Sequence, residues 1–122
     1  MYELLVKGNF SAAHNLRDYK GKCEHLHGHN YNVEVYLEKK NLEKNGIAVD
    51  FSEIKLKLNE ILEKLDHKYL NKDIDFFKNN NPSAENIAKF IFTNLKKMIK
   101  KAKIKKVSVW ESEDSCATYF EK

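Results

Sequence analysis

The chain has 122 residues, 42% of them hydrophobic and 33% charged, and a formal net charge of +4 at neutral pH. That length supports one hydrophobic core rather than two, and the composition excludes a disordered or fibrous chain, so a single domain over residues 1–122 is expected. No apolar run is long enough to cross a bilayer, and Glu3, Lys7 and Asn9 interrupt the N-terminal stretch, so neither a membrane segment nor a signal peptide is expected and the cytoplasm is the expected location.

Much of the positive charge lies between Lys96 and Lys106, as in a solvated helix end. Nucleic-acid binding would call for basic residues interleaved with aromatics or a recognisable motif, and neither occurs. The two cysteines lie far apart in sequence, and the histidines beside Cys23 favour a thiol with a chemical task over a disulfide.

In chain order, Tyr2, Leu4, Val6 and Phe10 alternate with Glu3, Lys7 and Asn9, a period that predicts a half-buried strand with Leu5 as the exception. The polar, aperiodic segment from Asn15 to Glu24 reads as a loop. From His27 the alternation resumes, with His27, His29, Tyr31, Val33, Val35 and Leu37 on one face of a second strand. Gly28 leaves room there for close approach by backbone or ligand.

Lys39 to Gly46 is a polar connection. Asp50, with Glu53 as capping-box partner, starts a helix whose apolar stripe is Phe51, Ile54, Leu58, Ile61, Leu62 and Leu65. Asn71 to Pro82 reads as a loop pinned by Ile74, Phe76 and Phe77. Ser83 caps a second helix with the stripe Ile87, Phe90, Ile91, Leu95, Met98 and Ile99. Two strands follow, near Lys105 to Ser112 and Cys116 to Glu121, joined by a tight turn at Glu113-Asp114-Ser115. The order strand, strand, helix, helix, strand, strand predicts an α+β domain in which two helices cover one face of an antiparallel four-stranded sheet. Its two edges would need protection or a partner, and no proline or bulge signal guards them.

The densest chemistry lies between Cys23 and His29, which reads Cys-Glu-His-Leu-His-Gly-His. His27 and His29, two apart on a strand, present their rings together, and His14 beyond the first strand is the candidate third ligand. Three neutral imidazoles leave an open coordination position on zinc, the catalytic pattern, whereas a fourth ligand from Cys23 would close it into a structural site. His25 has no partner in this scheme. Asp66-His67 at a helix end either caps the helix or holds an imidazole ready for proton transfer. Glu111 is either a surface carboxylate beside a turn or an inward one able to accept two N–H groups from a planar heterocycle.

Phe10-Ser11-Ala12-Ala13-His14, Cys23 to His29, Val49-Asp50-Phe51, Leu65-Asp66-His67, Pro82-Ser83-Ala84-Glu85-Asn86 and Trp110-Glu111-Ser112 together resemble, in that order and nearly end to end, the 6-pyruvoyl-tetrahydropterin synthase family. The three residues between Cys23 and His27 make the chain most similar to the bacterial and archaeal branch, 6-carboxy-5,6,7,8-tetrahydropterin synthase of queuosine and deazaguanine biosynthesis. The resemblance implies a tunnelling fold built from trimers, commonly stacked as hexamers, with the active site at the subunit interface. It implies 7,8-dihydroneopterin triphosphate as substrate, and 6-carboxytetrahydropterin, acetaldehyde and triphosphate as products.

By the same resemblance, His14, His27 and His29 would hold Zn2+, Cys23 would move protons as a thiolate, and Asp66 with His67 would relay protons from a neighbouring subunit. Glu111 would grip the pterin edge, and Ser83 and Glu85 would line the pterin pocket, although Ala84 departs from the hydroxyl-bearing residue often found there. The alternatives are 6-pyruvoyl-tetrahydropterin synthesis or side-chain cleavage at the same site, and a non-catalytic zinc or pterin-binding protein.

Overall fold

The computed structural model describes residues 1–21 and 24–122, so Cys23 lies outside the described residues. Nine elements follow in chain order: β1 Tyr2–His14, β2 His27–Lys39, α1 Phe51–Leu65, β3 Lys68–Tyr69, α2 Leu70–Asp73, α3 Phe76–Asn79, α4 Ala84–Met98, β4 Lys103–Ser112 and β5 Ser115–Tyr119. The sheet order is β3-β1-β2-β4-β5, antiparallel throughout except for the short parallel pairing of β3 with β1. No helix among the described residues is long and apolar enough to cross a membrane.

The hairpin of β1 and β2 is the backbone of the domain. Its register sets Val6 opposite Val35, Phe10 opposite Tyr31 and His14 opposite His27. Residues two apart share a face, so Val6, Phe10 and Ala12 join Tyr31, Val33, Val35 and Leu37 in one buried layer. Helices α1 and α4 cover that layer, supplying Ile54, Leu58, Ile61, Leu62 and Leu65 from one and Ile87, Ala88, Ile91, Phe92 and Leu95 from the other. Each such Leu, Ile or Phe side chain contributes about 1.5–3 kcal/mol relative to exposure, which is why two helices of modest intrinsic propensity are held firmly.

Several expectations require correction. The sheet has five strands rather than four, because Lys68–Tyr69 adds a two-residue strand beside Ala12 and Ala13. The segment expected to be a loop between Asn71 and Pro82 holds the single-turn helix α3 and part of α2, with Phe77 fully buried beneath it. Strand β1 runs on to His14 instead of ending at Phe10.

Asp50 does cap α1, accepting the Ser52 N–H at 2.8 Å. Glu53, however, does not close a capping box; its carboxylate pairs with Lys57 at 3.2 Å and Lys101 at 3.5 Å. Phe51 is half exposed and lies outside the stripe. The sheet also carries two register slips, between Tyr36 and Leu37 and between Trp110 and Ser112, that no sequence signal announced. At Gly28 an added Cβ would meet only the Ala12 carbonyl at 3.6 Å, an ordinary contact, so the expected close approach is not found within this chain.

Candidate metal centre

Where β1 and β2 end side by side, the pairing of His14 with His27 and of Ala12 with His29 brings three imidazoles onto the helix-covered face of the sheet. His14 is 1% exposed and is the one buried histidine among the described residues. Its ring lies 4.6 Å from that of His27 and 5.1 Å from that of His29, centroid to centroid, in edge-to-face arrangements. A fourth group arrives from β4. Ser112 and Trp110 pair with β5 across a register slip, and Glu111 between them has the facing parity of Val107 and Val109, which carries its carboxylate to 3.2 Å from His29 Nε2. One ligand atom from each of His14, His27, His29 and Glu111 lies within 4.8 Å of all the others, a grouping that could hold a metal ion.

The hydrogen bonds prepare these rings. His14 Nδ1 lies 2.6 Å from the Pro82 carbonyl and His27 Nδ1 lies 2.7 Å from the His25 carbonyl. A carbonyl can only accept, so each Nδ1 carries the proton and each Nε2 is left with its lone pair. The two Nε2 atoms then face each other at 3.0 Å. His29 Nε2 is buried with no hydrogen-bond partner, although the Glu111 carboxylate lies 3.2 Å away. Buried lone pairs converging without a shared proton fit a cation, and a set of imidazoles with one carboxylate suits borderline divalent ions.

Electrostatics point the same way. Desolvation holds both His14 and His29 below the ordinary imidazole pKa, against the opposing pull of the Pro82 carbonyl and Glu111 on His14 and of Glu111 on His29. Both rings are thereby kept neutral, the form that ligates. Beneath them Tyr31 stacks on Phe10 and sets its hydroxyl 3.2 Å from His14 Nδ1, and burial raises the phenol pKa so that it stays protonated.

The remaining candidate residues lie elsewhere. His67 Nδ1 lies 3.0 Å from the Asp66 carboxylate, which also accepts the Ser11 N–H at 2.8 Å. His67 adopts a left-handed backbone with φ 58° and leaves its side chain 82% exposed. This pair is not part of the four-residue cluster. His67 instead lines a shallow concavity with Ser11, Gly28, Asn30 and His29, the last of which also belongs to the cluster. Ser83 caps α4 by accepting the Asn86 N–H at 3.2 Å, one residue beyond the Pro82 carbonyl that holds His14, while Glu85 in the first turn is exposed. His25 is exposed and contributes its carbonyl rather than its ring. The sequence pattern places Tyr31 on the histidine face without giving it a part in the site, and nothing local marks the Pro82 carbonyl.

An α+β domain whose sheet ends in a histidine and carboxylate cluster able to hold a metal ion is the class that the fold and site define, and comparison with known proteins gives the family. Residues 3–122 match the family described as 6-pyruvoyl tetrahydropterin synthase. A putative 6-carboxy-5,6,7,8-tetrahydropterin synthase from Archaeoglobus fulgidus is 38% identical over 112 residues, covering 92% of this chain and 90% of the relative. The 6-carboxy-5,6,7,8-tetrahydropterin synthase of Synechocystis sp. is 34% identical, covering 98% and 94%. The solved structure of Caenorhabditis elegans 6-pyruvoyl tetrahydropterin synthase superposes with a TM-score of 0.91 at 29% identity, covering 99% of this chain and 96% of that one. The chain belongs to the 6-pyruvoyl tetrahydropterin synthase family, a family of enzymes, and has its tunnelling-fold protomer.

Proposed function

We propose that this protein is a zinc-dependent lyase converting 7,8-dihydroneopterin triphosphate and water to 6-carboxy-5,6,7,8-tetrahydropterin, acetaldehyde and triphosphate, as a cytoplasmic step of queuosine and deazaguanine biosynthesis. The observation that carries this reading is the convergence of His14, His27 and His29, the first two with Nδ1 engaged by the Pro82 and His25 carbonyls and the third with a buried, unpartnered Nε2. These three residues would hold zinc, which supplies Lewis-acid polarisation of a substrate hydroxyl. Glu111, at the rim of the cluster, accepts N–H groups from the pterin and fixes its orientation. Cys23 takes and returns protons as a thiolate. Ser83 and Glu85, at the start of α4, line the pterin pocket beside Pro82.

Asp66 and His67 supply the second proton relay to a neighbouring protomer. The exposed side chain of His67, and the absence of both residues from the imidazole and Glu111 cluster, support that division. A homo-oligomer of trimers, with the active site between subunits, would also pair the open sheet edges at β3 and β5.

Incubation of the zinc-loaded protein with 7,8-dihydroneopterin triphosphate should release acetaldehyde and a 6-carboxy product by mass spectrometry; absence of acetaldehyde sinks the reading. The likeness to the Caenorhabditis elegans protein favours 6-pyruvoyl-tetrahydropterin as the second reading, and the product mass separates the two. Cys23→Ala should keep the metal and lose about 10²–10⁴-fold in turnover, the range of a general acid–base group, whereas loss of zinc and of folding would make Cys23 a structural ligand.

A further inference from the structure

Beyond His14 the chain leaves its partner strand, because the register of β1 with β2 ends at the His14–His27 pair. The peptide groups of residues 15 and 17 would then be left without a ladder, a costly state for half-buried backbone. Two asparagine side chains take the place of the missing strand. The Asn71 side chain accepts the Asn15 N–H at 2.9 Å and donates to the Asn15 carbonyl at 2.8 Å. Asn81 does the same for Arg17, accepting its N–H at 2.9 Å and donating to its carbonyl at 2.8 Å.

A carboxamide carries the donor and acceptor of a peptide unit, and residues two apart in an extended chain present those groups on one side. The two amides therefore read residues 15 and 17 as a neighbouring strand would. Each is itself held in place. Asn71 is 9% exposed, the Tyr69 hydroxyl donates to the Asn15 side chain at 2.8 Å, and the Asn86 side chain donates to the Asn81 carbonyl at 2.9 Å. Asn81 is also the residue before Pro82, whose carbonyl fixes the tautomer of His14. The same short stretches thus hold the backbone after His14 and the proton on its ring.

We propose that Asn71 and Asn81 form a two-amide brace on Asn15 and Arg17 that sets the place and aim of the His14 imidazole, making both asparagines positioning residues for the metal centre. The inference rests on reading His14, His27 and His29 as metal ligands, and the test separates the two. Asn71→Asp and Asn81→Asp keep the shape and the acceptor for the backbone N–H, but turn the donor toward each carbonyl into a second acceptor.

The full-length protein is stripped of metal and titrated with Co2+, whose visible bands report ligand geometry. Ile91→Val in the core serves as a control for general loss of stability. The expected result is a loss of cobalt affinity of about 10- to 100-fold in each Asp variant, the range for groups that orient a metal-binding histidine. The visible bands should shift as well, while Ile91→Val matches wild type in both. Affinity and spectrum equal to wild type in either folded Asp variant would overturn the brace while leaving the metal reading intact. Failure of the wild-type protein to bind cobalt would overturn the metal reading and the brace with it. Should Asn71→Asp not fold, Asn81→Asp, at a less buried position, decides alone.

Discussion

His14 and His27 face each other through their Nε2 atoms at 3.0 Å, although each has given its Nδ1 proton to a backbone carbonyl. With Nδ1 as the donor in each ring, the Nε2 atoms present lone pairs to one another, and a cation relieves that opposition. Zinc at a free concentration of one hundred times its Kd should therefore stabilise the fold by about 2.7 kcal/mol. Thermal unfolding with and without chelator reads this directly, and His27→Ala should remove most of the difference. A melting temperature indifferent to chelation in the wild-type protein would count against a metal centre here.

Glu111 stands where it could serve as a fourth ligand or as the anchor for substrate. Glu111→Gln keeps its size and removes its charge. If it is the anchor, equilibrium dialysis should find zinc affinity changed by less than tenfold, below the range seen when groups that orient ligands are lost. The specificity constant kcat/KM should fall about 10- to 100-fold, equivalent to one charge-assisted hydrogen bond of about 1.5–3 kcal/mol. Loss of the metal would instead make Glu111 a ligand.

Ser83 has an assignable structural task, capping α4 at the Asn86 N–H, whereas Glu85 offers α4 only its first-turn negative charge among the described residues. Ser83→Ala should lower stability by about 1 kcal/mol, as for other N-cap losses. Glu85→Gln should cost no more stability than a first-turn charge supplies, about 0.3–1 kcal/mol, with its main effect on KM. Stability of Ser83→Ala equal to that of wild type, measured by denaturant unfolding, would show that the hydroxyl does not cap.

The helix stripes and the alternation of β2 were legible because periodicity reports which face is buried, and that alone put His27, His29 and Tyr31 on one side. His14 was within reach for the same reason, since a strand extended by four residues ends opposite His27. Glu111 could be read only as one of two alternatives. Its parity with Val107 and Val109 was visible, but the register slip and the contact with His29 depend on how β4 meets β5 and β2. The brace was not legible at all: Asn71 and Asn81 act on backbone 56 and 64 residues away, and a side chain bonding to a peptide group leaves no period in either segment. The two-residue strand β3 is too short to carry a pattern.

Gly8 tests the packing of α1 on the sheet. A Cβ added there would fall 2.7 Å from Leu62 Cδ1 and 3.2 Å from Leu58 Cδ2, both in fully packed side chains. Gly8→Ala should destabilise by about 1–3 kcal/mol through overpacking. Adding Leu62→Ala to Gly8→Ala should then cost less than the same change in the wild-type background, because the new methyl occupies part of the space vacated. A double-mutant cycle in urea gives the coupling, and strict additivity would mean that Leu62 simply swings aside.

Asp66 makes stability depend on pH. The Ser11 N–H donated to its carboxylate, and then the neighbouring His67, lower its pKa below the usual aspartate value. As pH falls, the unfolded chain takes up this proton first, near the ordinary value of about 3.9. The contribution of the ionised carboxylate is thus fully present above that pH and is lost as pH falls toward the lower folded value. Asp66→Asn retains an oxygen for the Ser11 N–H but cannot titrate. Its melting temperature should lie below that of wild type at pH 6 and fall less steeply below about pH 4, so that the two curves converge at the acid end. Parallel curves from pH 6 to pH 3, followed by circular dichroism, would show that Asp66 titrates alike in the folded and unfolded chain, and that the Ser11 bond does not favour its ionised form.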